Sequence, residues 1–92
     1  MLYRIQTEDI NRDSIIAIIV QNFESFTIIP AIGYWQGKPE NSIIIEIMTD
    51  SKWHGTESDE HKVFQIADRI RRWHNQECVL ISTIESESSF VR

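Results

Sequence analysis

Positive charge is in short supply in this sequence: nine Lys and Arg stand against 14 Asp and Glu, for a formal net charge of −5. Non-specific binding to nucleic acid rests on many cations neutralising phosphates, so bulk nucleic acid is excluded as a partner. Cysteine is almost absent. Cys78 alone rules out an intrachain disulfide and a thiolate metal cluster, and reads as a small core residue. No apolar run approaches the roughly 18 residues that span a bilayer, so no membrane partner is expected. The start, Met1 to Glu8, alternates apolar and polar residues without the basic opening and small-residue cleavage site of a leader, and the expectation is a cytoplasmic protein. There is no nucleophile elbow and no glycine-rich phosphate loop. His54, His61 and His74 share no metal-ligand spacing, which leaves His74/Cys78 as a weak pair straddling a helix end and a strand. Catalysis is not indicated, and neither a cofactor nor a metal is called for.

What is present is an isoleucine-rich chain of 92 residues, enough for one domain with one core. Residues 2 to 7 alternate as a strand. Asn11 can cap a helix whose apolar residues Ile15, Ile16, Ile19, Val20 and Phe23 follow helical spacing, with Asp13 in its first turn. From Ser25 to Trp35 the chain is β-branched and aromatic, Gln36 to Asn41 supplies turn residues, and Ser42 to Met48 resumes as a strand, so a hairpin is predicted. Pro30 donates no ladder bond, which requires an edge position or a bulge. Thr49 to Lys62 reads as a polar loop, with Ser58-Asp59-Glu60 bringing capping and acidic chemistry to a second helix. Its stripe is Val63, Phe64, Ile66, Ala67, Ile70 and Trp73. Asn75-Gln76-Glu77 turns the chain into a last strand, Cys78 to Ile84, and 86–92 reads as a tail beyond a single domain over 1–85. The predicted order is β-α-β-β-α-β, an α+β, ferredoxin-like fold in which a four-stranded antiparallel sheet carries both helices on one face.

The period of two then sorts side chains by face. Ile43, Ile45 and Ile47 belong together under the helices, with Val79, Ile81 and Thr83. The opposite face receives Ile44, Glu46, Met48, Leu80 and Ile84, joined by Arg4 and Gln6. A water-facing sheet surface should be mainly polar, and this one is substantially apolar, so it is expected to pack against copies of the chain, with Arg4 and Glu46 as a partly buried pair. The alternative is a monomer with scattered apolar surface.

Tyr34 and Trp35 should point to opposite faces, with at most one in the core. A ring at an interface can stack on a base, and Gln36 or Lys38 can reach a ribose or phosphate; interface packing accounts for the rings as well. Trp53-His54-Gly55 falls in a loop long enough to be a lid, or to dock Trp53 on a neighbour. Arg69, Arg71 and Arg72 lie where cations complement the helix dipole, and Asn75 and Gln76 open the last strand.

The pattern Phe26-Thr27-Ile28-Ile29, Gly33-Tyr34-Trp35-Gln36-Gly37, Glu40-Asn41-Ser42, Ile45-Glu46-Ile47 and Asn75-Gln76-Glu77-Cys78-Val79-Leu80-Ile81 resembles small uncharacterised proteins of bacteriophages and bacterial mobile elements. More distantly the plan is similar to the PII and CutA-like proteins, trimers of this fold whose PII members hold nucleotides in clefts between subunits. Their long loop between the second and third strands is replaced here by the Gln36–Asn41 turn, so only the architecture and the position of an intersubunit cleft carry over. The resemblance implies a homo-oligomer, with a trimer favoured. Its ligand would be a nucleotide-like anion, sequestered without chemistry, as a phage would remove a signal used by host defence. The residues expected to meet it are Tyr34, Trp35, Gln36, Lys38, Arg4, Trp53, Arg71, Arg72, Asn75 and Gln76, and the alternative function is a module that binds and blocks a host protein through Trp53 and the acidic surface.

Overall fold

The computed structural model describes residues 2–49, 59–73 and 79–84, without the side chains of Leu80 and Ile84. Its elements run β1 (Leu2–Glu8), α1 (Arg12–Val20), β2 (Thr27–Trp35), β3 (Lys38–Met48), α2 (Asp59–Trp73) and β4 (Leu80–Ile84). The four strands form one antiparallel sheet in the order β2-β3-β1-β4. This α+β arrangement is compatible with a ferredoxin-like fold. No helix among the described residues is long and apolar enough to cross a membrane.

Isoleucine builds the core. Across the register Ile5 faces Ile45 and Tyr3 faces Ile47, and these residues pack with Ile43 against Ile15, Ile18 and Ile19 of α1 and Val63, Ile66, Ala67 and Ile70 of α2. Stiff β-branched chains suit the pleated surface, and α1, nine residues long with five of them Ile or Val, is held by that packing and by its cap rather than by propensity. Asn11 Oδ1 accepts from Ser14 N–H at 3.1 Å, as predicted for the N-cap. The helical stripes are narrower than the sequence suggests. Val20, Phe64 and Trp73 are exposed, and Phe23 lies beyond the end of α1 while still packing on the core, because the sheet supports only part of each helix's apolar arc.

The hairpin differs most from expectation. Its turn is two residues, Gln36 and Gly37, with φ of 52° and 77°, the left-handed pair of a type I′ turn, rather than the six from Gln36 to Asn41. Trp35 and Lys38 flank it as a hydrogen-bonded pair, and bonded and non-bonded pairs alternate from there. Tyr34 with Pro39, Ile32 with Asn41 and Pro30 with Ile43 are consequently non-bonded. Both prolines thus occupy positions where no N–H is owed to the partner strand, which is why neither interrupts the ladder. The Asn41 carbonyl confirms the parity, since it turns away from β2 to accept from Asp9 N–H at 2.9 Å. Pro30 sits on an edge strand without a bulge, one of the two options its presence required.

Candidate functional site

β1 pairs with β3 only from Ser42 to Met48, so the tip of the β2–β3 hairpin overhangs the rest of the sheet. That overhang explains where Tyr34 and Trp35 go. The register places them on opposite faces, as expected, but neither enters the core: Tyr34 is 74% and Trp35 48% exposed, and Ile32 beside them is 69% exposed. Lys38 stands directly across from Trp35, with Gln36 in the turn between them. Four of the predicted ligand residues are therefore one cluster at one end of the molecule.

The other candidates are elsewhere. Arg4 lies in mid-sheet opposite Glu46, its Nε 3.4 Å from Glu46 Oε1, the pair that face-sorting anticipated. Glu46 is eight residue steps along β3 from Lys38, roughly 27 Å at strand rise, so Arg4 cannot share a small ligand with the tip of its own chain. Arg71 and Arg72 both engage Asp68, each at 3.1 Å, and Arg69 donates to Gln21 Oε1 at 2.9 Å. Asp68 stands three and four residues before those arginines, a helical ion-pair spacing that the sequence carries openly and that reading the arginines as a cluster passes over. Trp53, Asn75 and Gln76 lie outside the described residues, as do His54, His74, Cys78 and the 86–92 tail.

On the predicted bare face, Ile44, Glu46 and Met48 are half-buried rather than open. Leu80 and Ile84 hold register positions opposite Gln6 and Leu2. A feature the sequence does not advertise lies between them and the tip. A Cβ on Gly33 would meet Ser42 Oγ at 2.8 Å and Gln6 Nε2 at 3.3 Å, so this glycine makes room for a buried serine and an amide crossing from β1. Glu40 and Glu8 occupy the same face next to it. Electrostatically, then, Lys38 is the cationic end of this face and the carboxylates lie inboard of it. The alternation that assigned faces holds the signal for this layout, but only the three-strand register reveals it.

Among the described residues no group of three His, Cys, Asp or Glu side chains could hold a metal ion. No protein-family model matches the chain, and no curated protein matches its sequence.

Proposed function

We propose that the protein is a non-catalytic, homo-oligomeric binding protein that holds an anionic, nucleotide-derived small molecule at the hairpin overhang, between subunits. The observation that carries this reading is the exposed Trp35 directly opposite Lys38, with Gln36 beside them. An aromatic ring stacks on a base whatever its sequence identity, and a cation at the same edge meets the phosphate. Glu40 and Glu8 inboard set the ligand's direction: phosphate outward at Lys38, base inward over Trp35. One lysine is a thin cationic lining for a nucleotide, so further charge comes from the Arg4 of a neighbouring subunit, which is out of reach within one chain, or from Arg71 and Arg72. On this reading the fold is ferredoxin-like with distant PII-like kinship, the bare face around Ile44, Glu46 and Met48 packs on other copies as in a trimer, and the cytoplasm is the site of action. Sequestration of a signalling nucleotide, the role the phage resemblance implies, follows from binding without chemistry. The alternative, a module that blocks a host protein, rests on the acidic surface and on Trp53, which lies outside the described residues.

The test is mass spectrometry of small molecules released on heating purified protein, paired with thermal shift against a nucleotide panel. A ligand at 100 times its Kd stabilises by about 2.7 kcal/mol, and the Trp35→Ala and Lys38→Ala variants should lose that shift. A panel that moves neither the parent protein nor any variant, with nothing released on heating, refutes the reading.

A further inference from the structure

Among the described residues the overhang has two unpaired edges, and they are treated oppositely. On the β3 side, beyond the end of β1, the strand carries Lys38, Pro39 and Glu40, the charge and proline that natural sheets use to stop strangers from pairing. β4, the far edge of the sheet, is protected by being only five residues long. The outer edge of β2 has neither device at its tip. Over nine residues, Thr27 to Trp35, it contains no charged side chain, in a protein of net charge −5.

The ladder parity says which groups this edge offers. Ile28, Pro30, Ile32 and Tyr34 are the non-bonded positions against β3, so their backbone groups point outward, and among the described residues none pairs with them. Pro30 has no N–H to give. The intact donors and acceptors nearest the tip are those of Ile32 and Tyr34, which flank Gly33.

We propose that a second copy of the chain pairs on this edge, antiparallel, with the two-fold axis passing at Gly33. Ile32 then exchanges both backbone bonds with the partner's Tyr34, and the axis repeats the exchange. This register is singled out by the sequence. Sliding it one way brings Pro30 into the ladder, and sliding it the other leaves Tyr34 to pair only with itself.

Side chains agree with it. On one face each Ile32 stands against a Tyr34 of the other copy, an aromatic and β-branched pair of the kind that stabilises sheets, and these are the two most exposed large apolar residues described. On the other face the glycines meet at the axis as a close, non-bonded pair, and each Trp35 falls opposite Ala31 and diagonal to Gly33 of the other copy. A large ring lies over the smallest residues of the strand, an arrangement that shields a glycine in a sheet. The contact is isologous, so it closes as a pair instead of propagating. It is separate from the bare-face contact and does not depend on the ligand.

The experiment is light scattering with size exclusion, together with residue-resolved amide exchange across a dilution series, on the whole chain. The expected mass is an even multiple of 10.8 kDa. Ile32→Pro removes an outward donor while leaving every β2–β3 bond in place, and it should halve that mass with the circular dichroism spectrum unchanged. Tyr34→Lys, which alters only an exposed side chain, should do the same and decides the matter where the proline variant fails to fold. Amides of Ile32 and Tyr34 should exchange at least about tenfold slower in the concentrated sample than in the dilute one, and that of Ile28 should not change. A 10.8 kDa species throughout, an odd multiple of it, or a folded Tyr34→Lys variant of unaltered mass overturns the proposal. Protection at Ile32 and Tyr34 that ignores dilution also overturns it, by showing that another segment of the same chain covers the edge.

Discussion

The two halves of the β2–β3 hairpin both carry large apolar side chains, and these serve opposite ends. From Ser42 to Met48, β3 is flanked on both sides by strands and carries Ile43, Ile45 and Ile47 at 0% exposure beneath two helices. From Lys38 to Glu40 it has, among the described residues, β2 alone beside it, and Ile32, Tyr34 and Trp35 are exposed. Hydrophobicity is therefore a poor guide to the core of this protein. What separates the halves is whether neighbouring elements reach them, and the half left uncovered is where binding is proposed.

Substitutions sharpen that contrast. Ile45→Ala deletes a side chain in the covered half and should cost about 2–5 kcal/mol in urea unfolding, whereas Ile32→Ala should leave the stability of the isolated subunit within about 0.5 kcal/mol. Equal losses at both positions would erase the distinction between the halves. Gly33→Ala sits at the boundary. The added methyl crowds Ser42 Oγ and Gln6 Nε2, so a loss of about 1 kcal/mol is expected, relieved when Ser42 is changed to glycine at the same time. Asn11→Ala removes the cap of α1 at a cost of about 1 kcal/mol without touching either half of the hairpin.

A pH effect is expected from Tyr3, which faces Ile47 of the covered half. Burial, then the charges of Glu60 and Asp59, raise the pKa of the Tyr3 hydroxyl above its ordinary 10.0. The folded state holds this proton more tightly than the unfolded chain, so the contribution is fully present below pH 10.0 and is lost as pH rises through the folded value. Stability of the parent protein should thus fall more steeply above pH 10 than that of Tyr3→Phe, as chemical unfolding at a series of alkaline pH values would show. The smallest effect is expected for Arg4→Ala. Its pair with Glu46 is half exposed and worth about 0.5 kcal/mol at low salt, less at high salt.

The element order, the buried isoleucines of β3, the cap at Asn11 and the Arg4–Glu46 pair were legible in the sequence, because each depends on local chemistry or a period of two. The length of the turn was not. Lys38-Pro39-Glu40-Asn41 has the composition of a loop, and only the ladder parity shows that a proline at position 39 owes its partner nothing. Nor was the exposure of both Tyr34 and Trp35 readable, since it depends on where β1 stops. The Gly33, Ser42 and Gln6 contact joins three strands, and no single segment announces it. The clustering of Tyr34, Trp35, Gln36 and Lys38 was legible for the simplest reason, that they are neighbours in the chain. The pairs of Arg71 and Arg72 with Asp68 follow from spacings of three and four residues on a helix and were legible in the same local way.

The central claim is that the overhang is the binding surface, and a nitrogen-15 NMR titration with the nucleotide that gives the largest thermal shift tests it most directly. The predicted result is a set of saturable shifts concentrated at Tyr34, Trp35, Gln36 and Lys38, with the amides of Ile43, Ile45 and Ile47 unmoved. Saturable shifts centred on the Arg69–Arg72 end of α2 instead, or none anywhere at millimolar nucleotide, would contradict it.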